Sequence, residues 1–195
     1  MSTAVANSRI VSSESEQLIL VNAQDEPIGF ASKGDAHDGD GILHRAFSLF
    51  IFNDDGELLL QQRAEGKRLW GGYWSNSCCS HPRAGERMDE AVHRRLEQEL
   101  GMTAQLDFLY KFEYQAQFGD LGSEHELCWV YLGRTRDEVR ANETEIASWR
   151  YVAPADLDRE LAQHPERFTP WFKLEWARIA DEFRDALDRL TRPAA

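Results

Sequence analysis

The sequence predicts a single α+β domain in which a mixed β-sheet is packed between helices. Three strand-turn-strand patterns occur along the chain, and a strongly amphipathic helix lies between the second and third of them. Helical periodicity dominates the region that follows the third pattern. Because a sheet and its helices must each bury an apolar face, we expect helices on both sides of the sheet.

The first two patterns are short. The segment "EQLILVNAQDEPIGF" predicts a strand, a turn and a second short strand. The segment "HRAFSLFIFNDDGELLLQQR" holds two runs rich in β-branched and aromatic residues around Asn53-Asp54-Asp55-Gly56, which predicts a β-hairpin.

The helices and the third pattern follow. Apolar residues recur every three or four positions between Glu86 and Leu100, and Gly101 stands where a left-handed C-cap belongs. The alternating runs "DFLYKFEYQAQF" and "EHELCWVYLG" predict a long hairpin. The chain then becomes helical after Trp149, and positions 171–190 predict one amphipathic helix of about five turns.

Size and composition agree with one globular domain. The chain has 195 residues, of which 42% are hydrophobic and 11% aromatic, so it can bury a substantial core. We expect a disordered polar tail at residues 1–16, the folded domain at 17–190 and a short C-terminal tail at 191–195.

Charge and cysteine content limit the partners. A net charge of -12 argues against nucleic acid as a partner, because nucleic-acid binding needs a basic surface. No signal-like start and no apolar run of membrane-spanning length is seen, and three cysteines make a poor disulfide framework. We therefore expect a cytoplasmic protein with no membrane contact. A small-molecule substrate and a monomeric or weakly dimeric state are further expectations, which charge and cysteine content do not themselves indicate.

Histidines and one pair of glutamates are candidate metal ligands. Any single one of the six histidines is more often a surface or satisfied core residue than a ligand. Glu124 and Glu126 are two apart on a predicted strand, so both project from one face while His125 points away. A solvated strand face would explain the same pair. Three histidines with two carboxylates would suit Zn, Mn, Fe or Mg equally.

The helix near residue 90 resembles the Nudix box. Glu86, Arg94, Leu96, Glu99 and Gly101 agree with that pattern, which implies a Nudix-like fold. Three positions depart from it, because Ser80 stands at the leading Gly, Arg95 replaces an acid and Gln98 replaces one of two paired acids. In the hydrolases these acids hold Mg²⁺ against a diphosphate, so we expect pyrophosphate cleavage to be crippled. An ordinary amphipathic helix with salt-bridged Arg and Glu is the competing interpretation.

Two adjacent cysteines and a histidine occur in "SNSCCSHP", residues 75–82, whose Ser, Asn and Pro content favours an exposed loop. Together with "LLLQQRAEGKRLWGGYW" and "KGDAHDGDGILHRAFS" before it and "EHELCWVYLG" after it, the segment resembles the type 1 isopentenyl diphosphate isomerase family over roughly residues 17 to 190. The family's catalytic cysteine matches Cys79. Neighbours in an extended segment face opposite ways, and we interpret Cys78 and Cys128 as small core residues.

The resemblance implies a role for each further site residue. It implies one divalent metal, either Mn, Zn or Mg, and a second ion, Mg²⁺, that binds with the substrate diphosphate at Glu99. The implied ligands of the first metal are His37, His44, His81, Glu124 and Glu126. The implied diphosphate-binding residues are Lys33, Arg63, Lys67 and Arg95. The implied catalytic residues are Cys79, Glu126, Tyr114 and Trp171.

The activity that the resemblance implies is the conversion of isopentenyl diphosphate to dimethylallyl diphosphate, a step of isoprenoid biosynthesis. Which of Cys79 and Glu126 protonates the substrate stays open. Trp171 also fits a core position at a helix start. Two alternatives remain, namely a Nudix hydrolase of a nucleoside diphosphate derivative and a non-catalytic metal-binding or regulatory domain.

Overall fold

The computed structural model describes residues 8–192 and places all their strands in one sheet. The strands are β1 (Gln17–Val21), β2 (Pro27–Ser32), β3 (His44–Phe52), β4 (Leu58–Arg63), β5 (Trp74–Ser75), β6 (Cys78–Ser80), β7 (Gln105–Gln117), β8 (Ser123–Arg134) and β9 (Ile146–Val152). The helices are α1 (Lys33–Ala36), α2 (Met88–Leu100), α3 (Pro154–Gln163), α4 (Pro170–Glu182) and α5 (Arg184–Thr191), with a 3-10 turn at Pro165–Arg167.

Strand β3 lies at the centre of the sheet. It runs parallel to β8 from the pair His44 and Glu126 to the pair Phe52 and Arg134, and antiparallel to β6. Its sequence "AFSLFIF" is almost continuously apolar because both of its faces are buried. Alternate side chains enter two different cores, so the predicted mixed sheet between helices is confirmed.

Each core is closed by helices on its own side of the sheet. The core below α4 contains Phe50, Phe172 and Trp176, whose rings stack at 5.9 and 6.4 Å from Phe50. The opposite core contains Phe47 and Leu96, the latter from α2. Helix α2 begins two residues later than predicted and ends as predicted, since Gly101 has a φ of 63° and its N–H donates to the Glu97 carbonyl.

The first and third strand-turn-strand predictions are confirmed, and the second is confirmed only in part. Strands β1 and β2, and β7 and β8, pair along their lengths. Strands β3 and β4 meet only at Phe52 and Leu58, because β4 pairs instead with β9. Strand β9 was not predicted, because "IASWRYV" does not alternate regularly between apolar and polar residues. Three consecutive residues of this strand are exposed.

The prediction of one long C-terminal helix is wrong. The segment forms α4 and α5, which are separated at Phe183, where φ is -120° and ψ is 31°. The Phe183 ring stacks on Tyr110 of β7 with centroids 5.0 Å apart. Packing against the sheet therefore overrides the helical periodicity at this residue.

The predicted tails lie partly outside the described residues, at positions 1–7 and 193–195. Within the described part, the carbonyl of Val11 accepts a 2.7 Å hydrogen bond from Arg95, and that of Arg9 accepts a 2.8 Å bond from Asn142. The domain limits 17–190 stay a prediction. Among residues 8–192, no helix combines the length and the apolar character needed to span a membrane.

Two glycines in the turn between β7 and β8 offer a matched test of the packing. Gly119 and Gly122 both have positive φ, at 55° and 140°. A Cβ at Gly119 would meet nothing within 4 Å, whereas one at Gly122 would lie 2.3 Å from the His37 carbonyl oxygen. We predict that Gly119→Ala costs about 1 kcal/mol of unfolding free energy and that Gly122→Ala costs about 3 kcal/mol. Urea unfolding would measure both, and equal costs would contradict the close approach.

Candidate active site

The segment 75–82 is buried for most of its length, so the predicted exposed loop is wrong. Ser75, Asn76 and Ser77 are fully buried. The Ser77 hydroxyl donates to the Leu59 carbonyl at 2.6 Å and accepts from the Ile51 N–H at 2.8 Å. Polar side chains can be buried here because the surrounding strands satisfy their hydrogen bonds.

The two adjacent cysteines lie on opposite faces of the sheet, as predicted. The Cys78 side chain on β6 is fully buried and points into the core beneath α2. Cys79 packs on the other side, lines a cavity, and pairs in register with Ser48 of β3. Alternation along the strand therefore separates a core thiol from one that faces the cavity.

The structure brings five predicted ligands into one cluster. Their nearest nitrogen and oxygen atoms all lie within 4.8 Å of one another, and the cluster consists of His37, His44, His81, Glu124 and Glu126. Register places two of these residues side by side, since His44 and Glu126 are direct partners of β3 and β8. His37 follows α1, and His81 follows β6.

The imidazoles in this cluster are oriented as metal ligands are. The Nδ1 atoms of His37 and His44 lie 2.7 Å from the carbonyls of Lys33 and Ile42, so Nε2 of each ring faces the cluster. Nε2 of His44 is buried and has no hydrogen-bond partner among the described residues. An unpaired buried nitrogen aimed at two carboxylates fits a divalent cation, so the donor set could hold one.

Burial and neighbouring charges set the protonation of the cluster. Burial lowers the pKa of His44 to about 4 and that of His81 well below its usual range, which keeps both imidazoles neutral. Although burial alone would raise it, the pKa of Glu124 is about 2 because His37 lies 2.8 Å away. Burial, reinforced by Glu124, raises the pKa of Glu126 well above its usual range.

Tyr114 is coupled to the cluster through Glu126. The two residues are register partners on β7 and β8, and the Tyr114 hydroxyl donates to Glu126 Oε2 at 2.5 Å. The other carboxylate oxygen, Oε1, lies 2.9 Å from Nε2 of His81. Glu126 therefore connects the candidate metal site to the phenol that lines the cavity.

Cys79 lies beside a guanidinium and an indole. Arg63 approaches its Sγ at 3.6 Å and also lies over the Trp171 ring, 5.2 Å from the centroid. Burial raises the pKa of the Cys79 thiol to about 12, and Arg63 opposes that shift. Trp171 is buried, and its Nε1 donates to Asn76 at 3.3 Å. The thiol, the indole and the guanidinium thus share one wall.

Cys79, Tyr114, Arg63 and Trp171 line a cavity of about 740 Å³, together with every residue of the ligand cluster except His44. The predicted basic residues line it too, namely Lys33, Arg63, Lys67 and Arg95. Lys67 forms an ion pair with Glu145, and Lys33 donates to Ser12 at 2.9 Å. The lining of the cavity therefore combines a thiol and two carboxylates with cationic side chains. The part that Cys79 and Glu126 line is called its thiol and carboxylate end, and the part that Lys67 and Arg95 line is called its cationic end.

Glu99 lies outside the five-residue cluster. Its carboxylate is buried and forms an ion pair with Arg95, and Arg95 also lies 3.3 Å from Glu145. Among the remaining histidines, His125 points away from the cluster and lies 3.1 Å from Glu113. Its orientation agrees with the predicted alternation along β8.

Comparison with known proteins identifies the family. The NUDIX domain family matches residues 42–172. Isopentenyl-diphosphate Delta-isomerase 1 of Photorhabdus laumondii is 44% identical over 174 residues, which cover 88% of this chain and 99% of that protein. The chain belongs to the isopentenyl-diphosphate Delta-isomerase family. The corresponding enzyme of Burkholderia multivorans is also 44% identical, over 80% of this chain and 89% of its own length.

Solved structures show the same fold at lower identity. The crystal structure of DR0079 from Deinococcus radiodurans superposes with a TM-score of 0.63 at 24% identity, over 76% of this chain and 90% of that one. A MutT protein from Methanosarcina mazei superposes with a TM-score of 0.53 at 20% identity, over 76% and 92% of the two chains. These likenesses establish the Nudix fold.

Two buried acids near the site of this family member were not predicted. Glu145 pairs with Lys67 at the cationic end of the cavity, and Glu175 lies fully buried on α4. Neither acid belongs to a motif. The apolar neighbours of Glu175 in "PWFKLEWARIA" were a usable signal, because a carboxyl group within a buried helical stripe needs a reason.

Removing a cluster ligand should reduce metal binding. We predict that His81→Ala or Glu124→Gln lowers the affinity for Mn²⁺ or Zn²⁺ by at least about tenfold, since each removes a donor. His125→Ala, on the same strand as Glu124 and facing away, should leave it unchanged. Elemental analysis after dialysis against each metal would measure this. Equal metal content in all three variants and the unsubstituted chain would contradict the assignment.

Proposed function

We propose that this chain converts isopentenyl diphosphate to dimethylallyl diphosphate. The observation that carries the proposal is that Cys79, Tyr114 and Glu126 line the same cavity as a group of cationic side chains. The curated relatives named as isopentenyl-diphosphate Delta-isomerases support it, since they match most of the chain. The substrate is thus a small diphosphate ester, bound with its hydrocarbon part at the thiol and carboxylate end.

The reaction moves one double bond and needs two proton transfers. A proton is added to the terminal alkene carbon, and another is removed from the chain carbon nearer the diphosphate, so the substrate keeps its composition. Two acid/base groups must therefore reach one short carbon chain. We assign these roles to Cys79 and Glu126, and the order in which they act is left open.

Glu126 is well placed to hold or release a proton. Its Oε2 accepts a hydrogen bond from Tyr114, and burial next to Glu124 raises its pKa, which favours the protonated carboxyl group. Tyr114 orients that oxygen and stabilises its charge when the proton leaves. Tyr114 is thus assigned to assist proton transfer by Glu126 through this hydrogen bond.

The walls of the cavity suit a positively charged hydrocarbon. Protonation of the alkene generates tertiary carbocation character, which water would capture. Trp171 offers an electron-rich indole ring, and Trp70 packs edge-on against it with centroids 5.3 Å apart. We assign Trp171 to carbocation stabilisation and to the exclusion of water.

Two further groups of residues are assigned to a divalent ion and to the substrate diphosphate. We assign His37, His44, His81, Glu124 and Glu126 to one divalent ion, either Mn, Zn or Mg, which fits the donor set. When bound, that ion supplies a fixed positive charge that orients Glu126 and alters its acidity. Lys33, Arg63, Lys67 and Arg95 are assigned to the diphosphate.

A second ion, Mg²⁺, is assigned to the substrate diphosphate with Glu99 as its protein ligand. In the described structure both hydrogen bonds from Arg95 go to one oxygen of Glu99, Oε1, so Oε2 is the oxygen that would hold the ion. The arginine stands where the hydrolases have an acid. This pair favours diphosphate binding without cleavage.

The proposal also covers the location of the protein in the cell and its oligomeric state. All three cysteines are free thiols in the structure, which supports a cytoplasmic location. Nucleic acid is not expected to bind the acidic chain, and we expect a monomer or a weak dimer.

The decisive experiment is incubation of the purified chain with isopentenyl diphosphate and Mg²⁺. Formation of the allylic isomer, detected by its acid lability or by proton NMR, is the expected result. Cleavage of the diphosphate linkage of nucleoside diphosphate derivatives, with release of a nucleoside monophosphate and no isomer, would favour a hydrolase. Retained metal with no turnover of either substrate class would favour a non-catalytic domain.

The adjacent cysteines give a matched pair of variants. We predict that Cys79→Ala lowers kcat by about 10² to 10⁴, because it removes a proton-transfer group. Cys78→Ala should leave kcat largely intact and cost on the order of 1 kcal/mol of stability, since only a small buried side chain is lost.

Steady-state kinetics and urea unfolding of both cysteine variants would check this. Metal content should be unchanged in each, since neither thiol is among the five ligands. If Cys78→Ala is as inactive as Cys79→Ala while both stay folded and metal-loaded, the assignment of Cys79 must be withdrawn.

A further inference from the structure

Glu175 is a fully buried glutamate that the proposed mechanism does not use. It lies on α4 one turn after Trp171, and the two side chains face the same way. Around it the helix buries Phe172, Trp176 and Ile179 in the core below α4. A carboxyl group in such surroundings is costly unless it stays uncharged or finds strong partners.

The partners of this carboxyl group are weak and neutral. Its Oε1 accepts a 3.4 Å hydrogen bond from the Cys128 thiol, which also lies 3.5 Å from the Ser48 hydroxyl. Its Oε2 is buried and has no hydrogen-bond partner among residues 8–192. Burial raises the pKa of Glu175 to about 8, while hydrogen bonding with Ser48 and Cys128 opposes that shift. The group is therefore largely uncharged at neutral pH.

These two partners are neighbours of the proposed acid/base groups. Ser48 of β3 is the direct register partner of Cys79 on β6. Cys128 follows Glu126 by two residues on β8, so both project from the same face of that strand. The Glu175 carboxyl group thus lies beneath the part of the sheet that presents Cys79 and Glu126 to the cavity.

No cation compensates Glu175 within the described part of the chain. The ionisable groups that face it are the thiols of Cys128 and Cys79, the phenol of Tyr110 on β7, and the carboxyl of Glu126. Tyr110 donates to the backbone carbonyl of Glu175 at 3.2 Å. On α4 itself, Arg178 lies over the Tyr110 ring and pairs with Glu182.

We propose that Glu175 is a positioning residue for the isomerisation: through Ser48 and Cys128, its carboxyl group supports the strands that present Cys79 and Glu126. The inference rests on the proposed function. Glu175 has no place in the cavity lining and touches no reacting atom. Its uncharged carboxyl group packs against the polar side chains of Ser48 and Cys128. A negative charge at the same position would disturb Cys79 and Glu126.

Three variants separate charge from hydrogen bonding. Glu175→Gln is uncharged at every pH and keeps both a donor and an acceptor. Glu175→Leu keeps a similar volume and removes the polar group. Glu182→Gln is the matched control, since Glu182 lies on the same helix, exposed and paired with Arg178.

The activity test compares kcat and KM for isopentenyl diphosphate from pH 6 to 9.5. At pH 7 we expect Glu175→Leu to lose about tenfold in kcat, the scale of outer-shell substitutions, with KM within about twofold. Glu175→Gln should recover most of that loss. The ratio of kcat for Glu175→Gln to kcat for the unsubstituted chain should rise at least about threefold between pH 7 and 9.5, because only the unsubstituted chain gains the buried charge. Glu182→Gln should show a flat ratio.

A stability test needs no turnover. The folded chain keeps the Glu175 proton up to a pH of about 8, whereas an unfolded chain releases it above the ordinary value of 4.5. The stability of the unsubstituted chain should therefore fall, relative to Glu175→Gln, as the pH rises from about 4.5 to 8. Melting temperatures of the two metal-loaded proteins across this range would show a widening difference.

Two results would overturn the inference. One is a kcat ratio for Glu175→Gln that stays flat from pH 7 to 9.5, and the other is Glu175→Leu with the same kcat as Glu175→Gln. If Glu175→Leu fails to fold, the Glu175→Gln ratio still decides. Absence of the allylic product from the unsubstituted chain would instead refute the proposed function, so the two failures are distinguishable.

Discussion

The parallel pairing of β3 with β8 is the constraint on which the rest of the site depends. Its register places His44 beside Glu126, and β6 on the other edge of β3 places Cys79 beside Ser48. A slip of one residue would turn every side chain of a strand to the opposite face. The largely apolar sequence of β3, buried in two cores at once, therefore fixes the positions of Glu126 and Cys79 on the neighbouring strands.

Alternation and capping were predictable from the sequence because they are local. The opposite orientations of Cys78 and Cys79, the shared face of Glu124 and Glu126, and the helix end at Gly101 each need only a few residues. The five candidate ligands could be named only through the family resemblance. Their convergence depends on β3–β8 register between segments far apart in the chain, which no local pattern contains.

The wrong predictions concern segments whose local structural preference is changed by residues distant in the sequence. The polar residues before Cys78 predict an exposed loop. The backbone groups of Leu59 and Ile51 nevertheless satisfy the hydrogen bonds of the Ser77 hydroxyl, so Ser77 can be buried. The break at Phe183 follows from stacking on Tyr110, not from any helix-breaking residue. Glu145 and Glu175 were missed because their significance lies in which side chains surround them.

Buried charge is balanced differently at the two ends of the cavity. At the cationic end, Lys67 and Arg95 are held by Glu145 and Glu99 in a network with little exposure. Charges taken out of water need such partners, because the desolvation penalty is several kcal/mol per ion. At the other end, burial and neighbouring imidazoles keep several groups neutral instead. One chain of net charge -12 thus contains a local group of paired cationic side chains.

The turn between β7 and β8 has a consequence for engineering. Hairpin tips usually tolerate inserted loops, tags and fused domains. Here Arg68 donates to the Leu121 carbonyl at 2.8 Å, and the Ser123 N–H donates to the His37 carbonyl at 3.0 Å, so the tip is fastened to the segment that carries a candidate ligand. A circular permutation or a reporter insertion at this tip would therefore disturb the candidate metal site, although the tip lies at the end of a hairpin.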